Sequence, residues 1–190
     1  MRVIAGRAGG VRLTVPKTGV RPTMDRVKAA IFSSLGNAVI GARVLDLFAG
    51  SGGLGIEALS RGAKSALFVD DNRQSIAAIE RNLTKTKLTG QVRTQDVFEF
   101  LKHTHRAPTF DIIFADPPYE QTTSGERFTD KILGNEYLPQ LLQPAGTFIL
   151  EKRPDEKFPG TEAWNLIRSR KYGATEVVFL SPIVHLKSSI

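Results

Sequence analysis

The sequence predicts an α/β fold: a mostly parallel sheet covered by helices on both faces, with an antiparallel C-terminal hairpin strand and a small N-terminal β-hairpin and helix extension. Three observations predict it. Short apolar runs end in an acid or a glycine-rich turn, as in Val44-Leu45-Asp46-Leu47-Phe48-Ala49-Gly50-Ser51-Gly52 and Phe110-Asp111-Ile112-Ile113-Phe114-Ala115-Asp116-Pro117-Pro118-Tyr119. Buried parallel strands deliver polar residues at their carboxyl ends in this way. Segments with helical spacing separate the runs, so a right-handed crossover joins each parallel pair. Two strand-like runs around Gly173-Ala174 then read as a hairpin.

Taken in order, residues 2–5 and 11–15 are β-like around Gly6, Gly9 and Gly10. Thr23 is placed to cap a helix on which Val27, Ala30, Ile31, Ser34 and Leu35 recur, and Gly36-Asn37 stops it. Arg43–Phe48 is the first strand of the main sheet. The turn at Gly50, Gly52, Gly53 and Gly55 leads into a helix over 54–61, stopped by Gly62. Ala66–Val69 is the second strand, ending at Asp70-Asp71, and Asn72 caps a helix with the stripe Ile76, Ile79, Leu83. Gln91–Thr94, a helix near Val97–Leu101, a polar loop over 103–109 and the strand Asp111–Ala115 follow. Glu120–Gly125 is polar and loop-like. A helix is expected over about Phe128–Leu142, broken or bent near Gly134, then a turn at Gln143–Gly146 and the strand Thr147–Glu151. Residues 152–163 are polar and irregular, or a short helix, and Leu166–Tyr172 with Glu176–Leu180 form the hairpin. The division expected is a basic extension over 1–38 and one main domain over 39–190.

Of 190 residues, 41% are hydrophobic, enough for one sizeable core. The absence of cysteine excludes disulfides, thiolate metal sites and cysteine nucleophiles. His103, His105 and His185 show no metal spacing, so no metal is expected. No run is apolar enough for a signal peptide or a membrane span, which fits a cytoplasmic protein with no membrane partner. The net charge of +7 is uneven: Arg2, Arg7, Arg12, Lys17, Arg21, Arg26 and Lys28 face the single acid Asp25 in residues 1–28. A segment of that kind suits the phosphates of a nucleic acid.

The first turn carries the spacing Gly50-Ser51-Gly52-Gly53-Leu54-Gly55, compatible with dinucleotide binding. Asp46, at the strand end, argues otherwise. A carboxylate there repels a pyrophosphate and suits the ammonium of S-adenosylmethionine, with Phe48, Ala49, Gly50, Ser51 and Gly52 forming the turn around it. Asp70 or Asp71, about 20 residues on, can accept the ribose hydroxyls, and Asp70 ends the strand directly. Asp96 ends the third strand in the same manner and can face an adenine amino group, with the Val97 amide toward a ring nitrogen. In Asp116-Pro117-Pro118-Tyr119, two prolines fix a rigid turn and remove amide donors. Carbonyl acceptors and the Asp116 carboxylate then face one point, as an exocyclic amine requires. Tyr119 offers a flat face for an extruded base.

With these residues in view, the chain resembles the class I S-adenosylmethionine-dependent methyltransferases of Rossmann-like fold. More narrowly it is similar to the RsmD family of bacterial 16S ribosomal RNA guanine-N2 methyltransferases. The likeness covers nearly the whole chain: Met1–Gly6, Arg21-Pro22-Thr23, Asp46–Gly52, Gly55–Ala63, Asp116–Tyr119 and Lys171-Tyr172-Gly173. It departs at Lys28-Ala29-Ala30, where Arg-Glu-Ala is usual, and at Asp70, where glutamate is common. The resemblance implies methylation of a guanine amino group in small-subunit ribosomal RNA, on an assembled or partly assembled subunit; separately, a monomer is expected. It implies cofactor roles for Asp46, Gly50, Gly52, Asp70 and Asp96 and catalytic roles for Asp116–Tyr119. The competing readings are an adenine-N6 or cytosine-N4 DNA methyltransferase, which shares the Asp-Pro-Pro-Tyr chemistry, and a non-catalytic RNA-binding module on the same fold. The hairpin-like pattern of residues 1–20 offers the core little apolar surface. They are expected to serve RNA binding more than stability, and their removal to leave a folded protein that binds the cofactor.

Overall fold

Seven strands form one sheet in the order β3-β2-β1-β4-β5-β7-β6. In this computed structural model the described residues are 1–16, 25–104, 110–119, 127–156 and 162–183. The strands are β1 (Arg43–Leu47), β2 (Ser65–Asp70), β3 (Gln91–Thr94), β4 (Phe110–Ala115), β5 (Leu142–Lys152), β6 (Trp164–Tyr172) and β7 (Thr175–Pro182). The first five are mutually parallel, and β7 pairs antiparallel with both β5 and β6. The predicted hairpin is present, with its second strand inserted and its first left at the sheet edge.

Alternation along the strands divides the core into two layers. Val44, Phe68, Ile112 and Phe114 face α1 (Asp25–Leu35), α2 (Gly53–Ser60) and α3 (Arg73–Thr86). Leu45, Leu47, Val69, Ile113 and Ala115 face α4 (Val97–Thr104) and α5 (Phe128–Leu133). The valine, leucine, isoleucine and phenylalanine side chains among these, fully buried, each contribute about 1.5–3 kcal/mol. Asn72 caps α3 as its sequence position predicts: its Oδ1 accepts the Gln74 and Ser75 amides at 2.8 and 3.3 Å. Among the described residues no helix is long and apolar enough to cross a membrane.

The helix expected over Phe128–Leu142 is shorter. α5 stops at Gly134, a tight 3-10 turn spans Leu138–Leu141, and β5 begins at Leu142. Asn135 starts the new turn, its Oδ1 accepting the Tyr137 and Leu138 amides at 3.0 Å each. Gln143–Gly146 is a register shift within β5, between the pairs Phe110–Leu142 and Ile112–Thr147. α4 runs on to Thr104, past the predicted end near Leu101. The Thr23 cap and the Glu120–Gly125 loop lie outside the described residues, as do His105 and His185.

The N-terminal segment corrects a further expectation. Its predicted pair of strands is one antiparallel bridge, Arg2 with Arg12, flanked by the Val3 amide donating to the Val11 carbonyl at 2.9 Å. Val3, Ala8 and Leu13 are 0%, 4% and 7% exposed and belong to the α1–α3 core layer. The segment is therefore part of the core. Glu57 of α2 accepts the Ile4 and Ala5 amides at 2.7 and 3.1 Å, and Ser60 Oγ accepts the Ala8 amide at 2.9 Å. At Gly6 (φ +83°) a Cβ would lie 2.0 Å from the Ser60 carbonyl oxygen, so only glycine permits this approach. Lys28, counted by charge with the basic extension, is fully buried. Its Nζ donates to the Arg2 carbonyl at 2.5 Å and lies 3.5 Å from Glu57.

The outer strand β6 carries Leu166 and Ile167 half exposed, at 50% and 57%, with a bulge between Leu166 and Arg168. Arg168, Arg170 and Lys171 on the same strand are exposed.

Candidate active site

A cavity of about 490 Å³ opens at the carboxyl ends of the parallel strands, within the range of small-ligand clefts, roughly 300–1,000 Å³. Asp46, Phe48, Ala49, Gly50 and Ser51 reach it from β1 and its turn, and Asp70 and Asp71 from β2. Asp96 and Val97 arrive after β3, and Asp116, Pro117, Pro118 and Tyr119 after β4. Of the residues singled out for a cofactor, Gly52 alone does not line the cavity. It sits at φ +77° before α2, and a Cβ there would face Ile56, Ile79 and Phe68. Its part is to turn the chain into the helix.

The turn after β1 is held by the acids that flank it. Asp46 Oδ2 accepts the Gly55 amide at 2.8 Å. A Cβ at Gly55 would lie 2.3 Å from Phe68 and 3.0 Å from that same oxygen, so the helix can come this close only as glycine. Asp70 accepts the Gly50 amide on Oδ2 at 2.8 Å and the Asn72 amide on Oδ1 at 2.9 Å. Phe48, at φ +53°, is a bulky residue in left-handed backbone, a conformation that persists only where the surroundings impose it. Its ring lies 6.0 Å from Phe98 and 5.9 Å from Phe128, both near edge-on. Asp96 Oδ1 accepts the Phe98 and Glu99 amides at 2.9 Å each, so this acid begins α4 while lining the cavity.

The electrostatics are one-sided. Asp46, Asp70, Asp71, Asp96, Asp116 and Glu151 line the cavity, against Arg153 as the one cationic side chain among the described residues. Burial pushes the Asp46 carboxyl up to about 8, the Gly55 hydrogen bond opposing this and the Asp116 and Asp70 charges adding to it. Burial raises Asp70 too, with the Gly50 and Asn72 amides opposing. Such a cavity favours a cation and groups that donate hydrogen bonds, and disfavours a pyrophosphate.

The second half of the cavity is built by the Asp116–Tyr119 turn and the C-terminal strands. Asp116 is half-buried, Pro117 buried, and Tyr119 half-buried. The Tyr119 hydroxyl lies 3.1 Å from Thr175 Oγ1, and the Arg153 guanidinium carbon lies 5.1 Å from its ring centroid, a cation–π contact. Lys152 of β5 pairs with Glu176 of β7 at 2.8 Å, and Ser169 Oγ donates to the same carboxylate. That buried network fixes the ends of β5 and β7, and with them Arg153 and Thr175.

The basic residues are dispersed. Arg2 and Arg12, with Met1, Leu13 and Asp25, line a second depression of about 410 Å³, and Met1 borders both cavities. Arg2 lies 3.7 Å from Asp25. The Arg7 guanidinium donates to the Leu59 carbonyl at 3.4 Å, and Arg26 is exposed on α1. Lys17 and Arg21 lie outside the described residues. Sequence reasoning passed over Met1, Phe128, Glu151, Arg153 and Thr175, all on the cavity wall. Glu151 was within reach, since it nears the end of an apolar strand as the other acids do. The remaining four arrive by tertiary packing and carry no local signal.

Known proteins resemble this chain over nearly its whole length. A family model described as Conserved hypothetical protein 95 matches residues 1–181. The Bacillus subtilis protein YlbH is 41% identical over 183 residues, covering 93% of this chain and 96% of its own. Ribosomal RNA small subunit methyltransferase D of Haemophilus influenzae is 33% identical over 177 residues, covering 91% and 89%. Among solved structures, the Escherichia coli protein yhhF superposes with a TM-score of 0.77 at 30% identity, over 96% of this chain and 97% of that one.

Proposed function

The chain belongs to the Conserved hypothetical protein 95 family, the RsmD methyltransferases, and from that premise we propose that it methylates the exocyclic N2 amine of a guanine in 16S ribosomal RNA, with S-adenosylmethionine as methyl donor. One observation carries the reading: the glycine turn with its acids and the Asp116–Tyr119 turn line the same cavity. The acid-rich wall and the buried Asp46 suit the cofactor's cationic methionine end, and Asp70 or Asp71 suits its ribose. When bound, S-adenosylmethionine supplies an electrophilic methyl group.

The chain's own residues prepare the acceptor. A guanine amino group is a poor nucleophile because its lone pair is delocalised into the ring. Asp116 and the Pro117 carbonyl accept hydrogen bonds from its N–H groups and return electron density to nitrogen as the methyl–nitrogen bond forms; the methyl–sulfur bond breaks, S-adenosylhomocysteine is the leaving group, and one N–H proton departs through the Asp116 carboxylate. Tyr119 stacks against the extruded base, worth roughly 1–3 kcal/mol. Thr175 and Arg153 hold the tyrosine ring in place. Arg2, Arg7, Arg12, Lys17, Arg21 and Arg26 serve the phosphates, which position the RNA without reading its bases. The substrate is the small ribosomal subunit or an assembly intermediate of it.

The test is transfer of a labelled methyl group to total RNA, DNA and protein. Mapping of the modified nucleotide in 16S ribosomal RNA from a deletion strain and its complemented counterpart follows. A guanine N2 methyl group lost on deletion and restored on complementation supports the proposal. Label in DNA amino groups would replace it with the DNA reading, and no label in any acceptor would leave a binding module.

A further inference from the structure

Asn82, in the middle of α3, is fully buried, and its side chain joins two parts of the molecule. Its Oδ1 accepts the Thr14 amide at 2.7 Å. Its Nδ2 donates to the Thr14 carbonyl and to the Ser51 carbonyl, each at 2.9 Å. Both amide hydrogens are thus used, and a flipped amide would set NH₂ against the Thr14 N–H, so the orientation is unique. Thr14 closes the docked N-terminal segment, and Ser51 is the middle of the glycine turn that lines the cavity. A second contact joins the same two parts: a Cβ on Gly53 would lie 2.8 Å from Met1 Sδ, and Met1 itself lines the cavity.

We propose that Asn82 is a positioning residue that couples the docked N-terminal segment to the glycine turn, so that affinity for S-adenosylmethionine depends on that segment being in place. This rests on the cofactor reading above. The physical reason is local. The turn holds Phe48 in left-handed backbone, and its shape is fixed from one side by Asp46 and Asp70. Asn82 adds a further tie at the Ser51 carbonyl, and Asn82 is in turn held by the two backbone bonds to Thr14. Loosening Thr14 frees the amide to rotate, and the Ser51 carbonyl loses its donor. Arg2 and Arg12 belong to the same segment, so phosphates engaging them favour its docked state and thereby the cofactor-binding shape of the turn. Such a coupling is reciprocal: the cofactor strengthens RNA binding by the same factor.

The test uses the full-length protein and S-adenosylhomocysteine as the calorimetric probe. Asn82→Ala should weaken binding on the order of 10-fold, the size expected for one buried polar group left unmatched. The KM for the methyl donor should rise in parallel, with kcat at saturation retained within about twofold. Thr14→Pro removes the amide donor from an exposed residue outside the cavity, and should weaken the probe by several-fold. In the double variant the two effects should not multiply. A loss of stability with unchanged KM in Asn82→Ala would overturn the proposal, as would effects that multiply. Should Asn82→Ala not fold, Thr14→Pro alone decides, since unchanged affinity there removes the coupling. A wild-type protein that binds no probe would instead sink the cofactor reading.

Discussion

Asp46 holds an acid where an acid is costly, and its cost depends on pH. In the unfolded chain its carboxyl titrates as an ordinary aspartate, whereas in the fold burial raises it to about 8. Between those values the folded state keeps a proton that the unfolded state has lost. Its contribution to stability is therefore present at low pH and declines as pH rises through that window, by at most about 1.4 kcal/mol per pH unit. Asp46→Asn should flatten that decline and be the more stable protein near pH 9, as read by urea unfolding at pH 5, 7 and 9. Ligand binding runs the other way. A cationic ligand favours the ionised carboxylate, so binding near neutral pH should release a proton, seen as a calorimetric enthalpy that changes with buffer, and Asn should abolish it. Across the cavity, Asp116→Ala should lower the methyl-transfer rate about 10²-fold or more while leaving cofactor affinity nearly unchanged. Full turnover in that variant would remove Asp116 from the chemistry. Tyr119→Phe and Thr175→Val each delete one end of the same hydroxyl contact. Their modest rate losses should coincide and not add when combined, whereas additive losses would show that the hydroxyls act separately.

At the scale of elements, α2 is the piece on which the others converge. Its first turn comes close to Asp46 and Phe68 through Gly55, and its last turn receives the N-terminal segment at Glu57 and Ser60. Glu57 accepts from Ile4, Ala5 and Arg61 and faces Lys28, with no part of its side chain exposed. Burial lowers the Lys28 pKa, opposed by Glu57 and Asp25. Glu57→Ala should cost about 3–5 kcal/mol, because it strands a buried cation and two amides at once. Lys28→Met removes the donor of the Arg2 carbonyl but leaves the Glu57 carboxylate its Ile4, Ala5 and Arg61 donors, and should cost clearly less in the same thermal unfolding experiment. The strand ends and their acids were legible because a parallel strand exposes its carboxyl end, and Asp46, Asp70, Asp96 and Asp116 all mark such ends. The docking of the N-terminal segment was not legible. Val3, Ala8 and Leu13 follow neither the period of a strand nor that of a helix, and Gly6 read as a hairpin glycine when it serves a close approach to Ser60. Lys28 looked like one more surface base, since only tertiary packing brings Glu57 to it.

For the whole molecule, charge divides into an acidic cavity and a basic surround, and the two respond differently to salt. Phosphate contacts release counterions, so each of Arg2→Gln and Arg12→Gln should make the salt dependence of RNA binding shallower by about 0.7–0.9 in log–log slope. Affinity should fall for all RNA sequences alike. Filter binding from low to moderate salt checks this, and an unchanged slope would place both arginines away from the RNA. Cofactor affinity within the buried cavity should vary little over the same range, because buried groups are poorly screened.

The outer edge of β6 sets a different limit on the same experiment. A strand left at the border of a sheet, with Leu166 and Ile167 half exposed, is a surface on which a second molecule can add its own strand. Here the bulge after Leu166 breaks the regular backbone edge, and Arg168, Arg170 and Lys171 make two such edges repel. The bulge acts at any ionic strength, while the repulsion is screened away at high salt. Colloidal behaviour should therefore run opposite to RNA affinity: light scattering from the free protein should increase with the very salt that releases the nucleic acid, and Ile167→Lys should delay that increase.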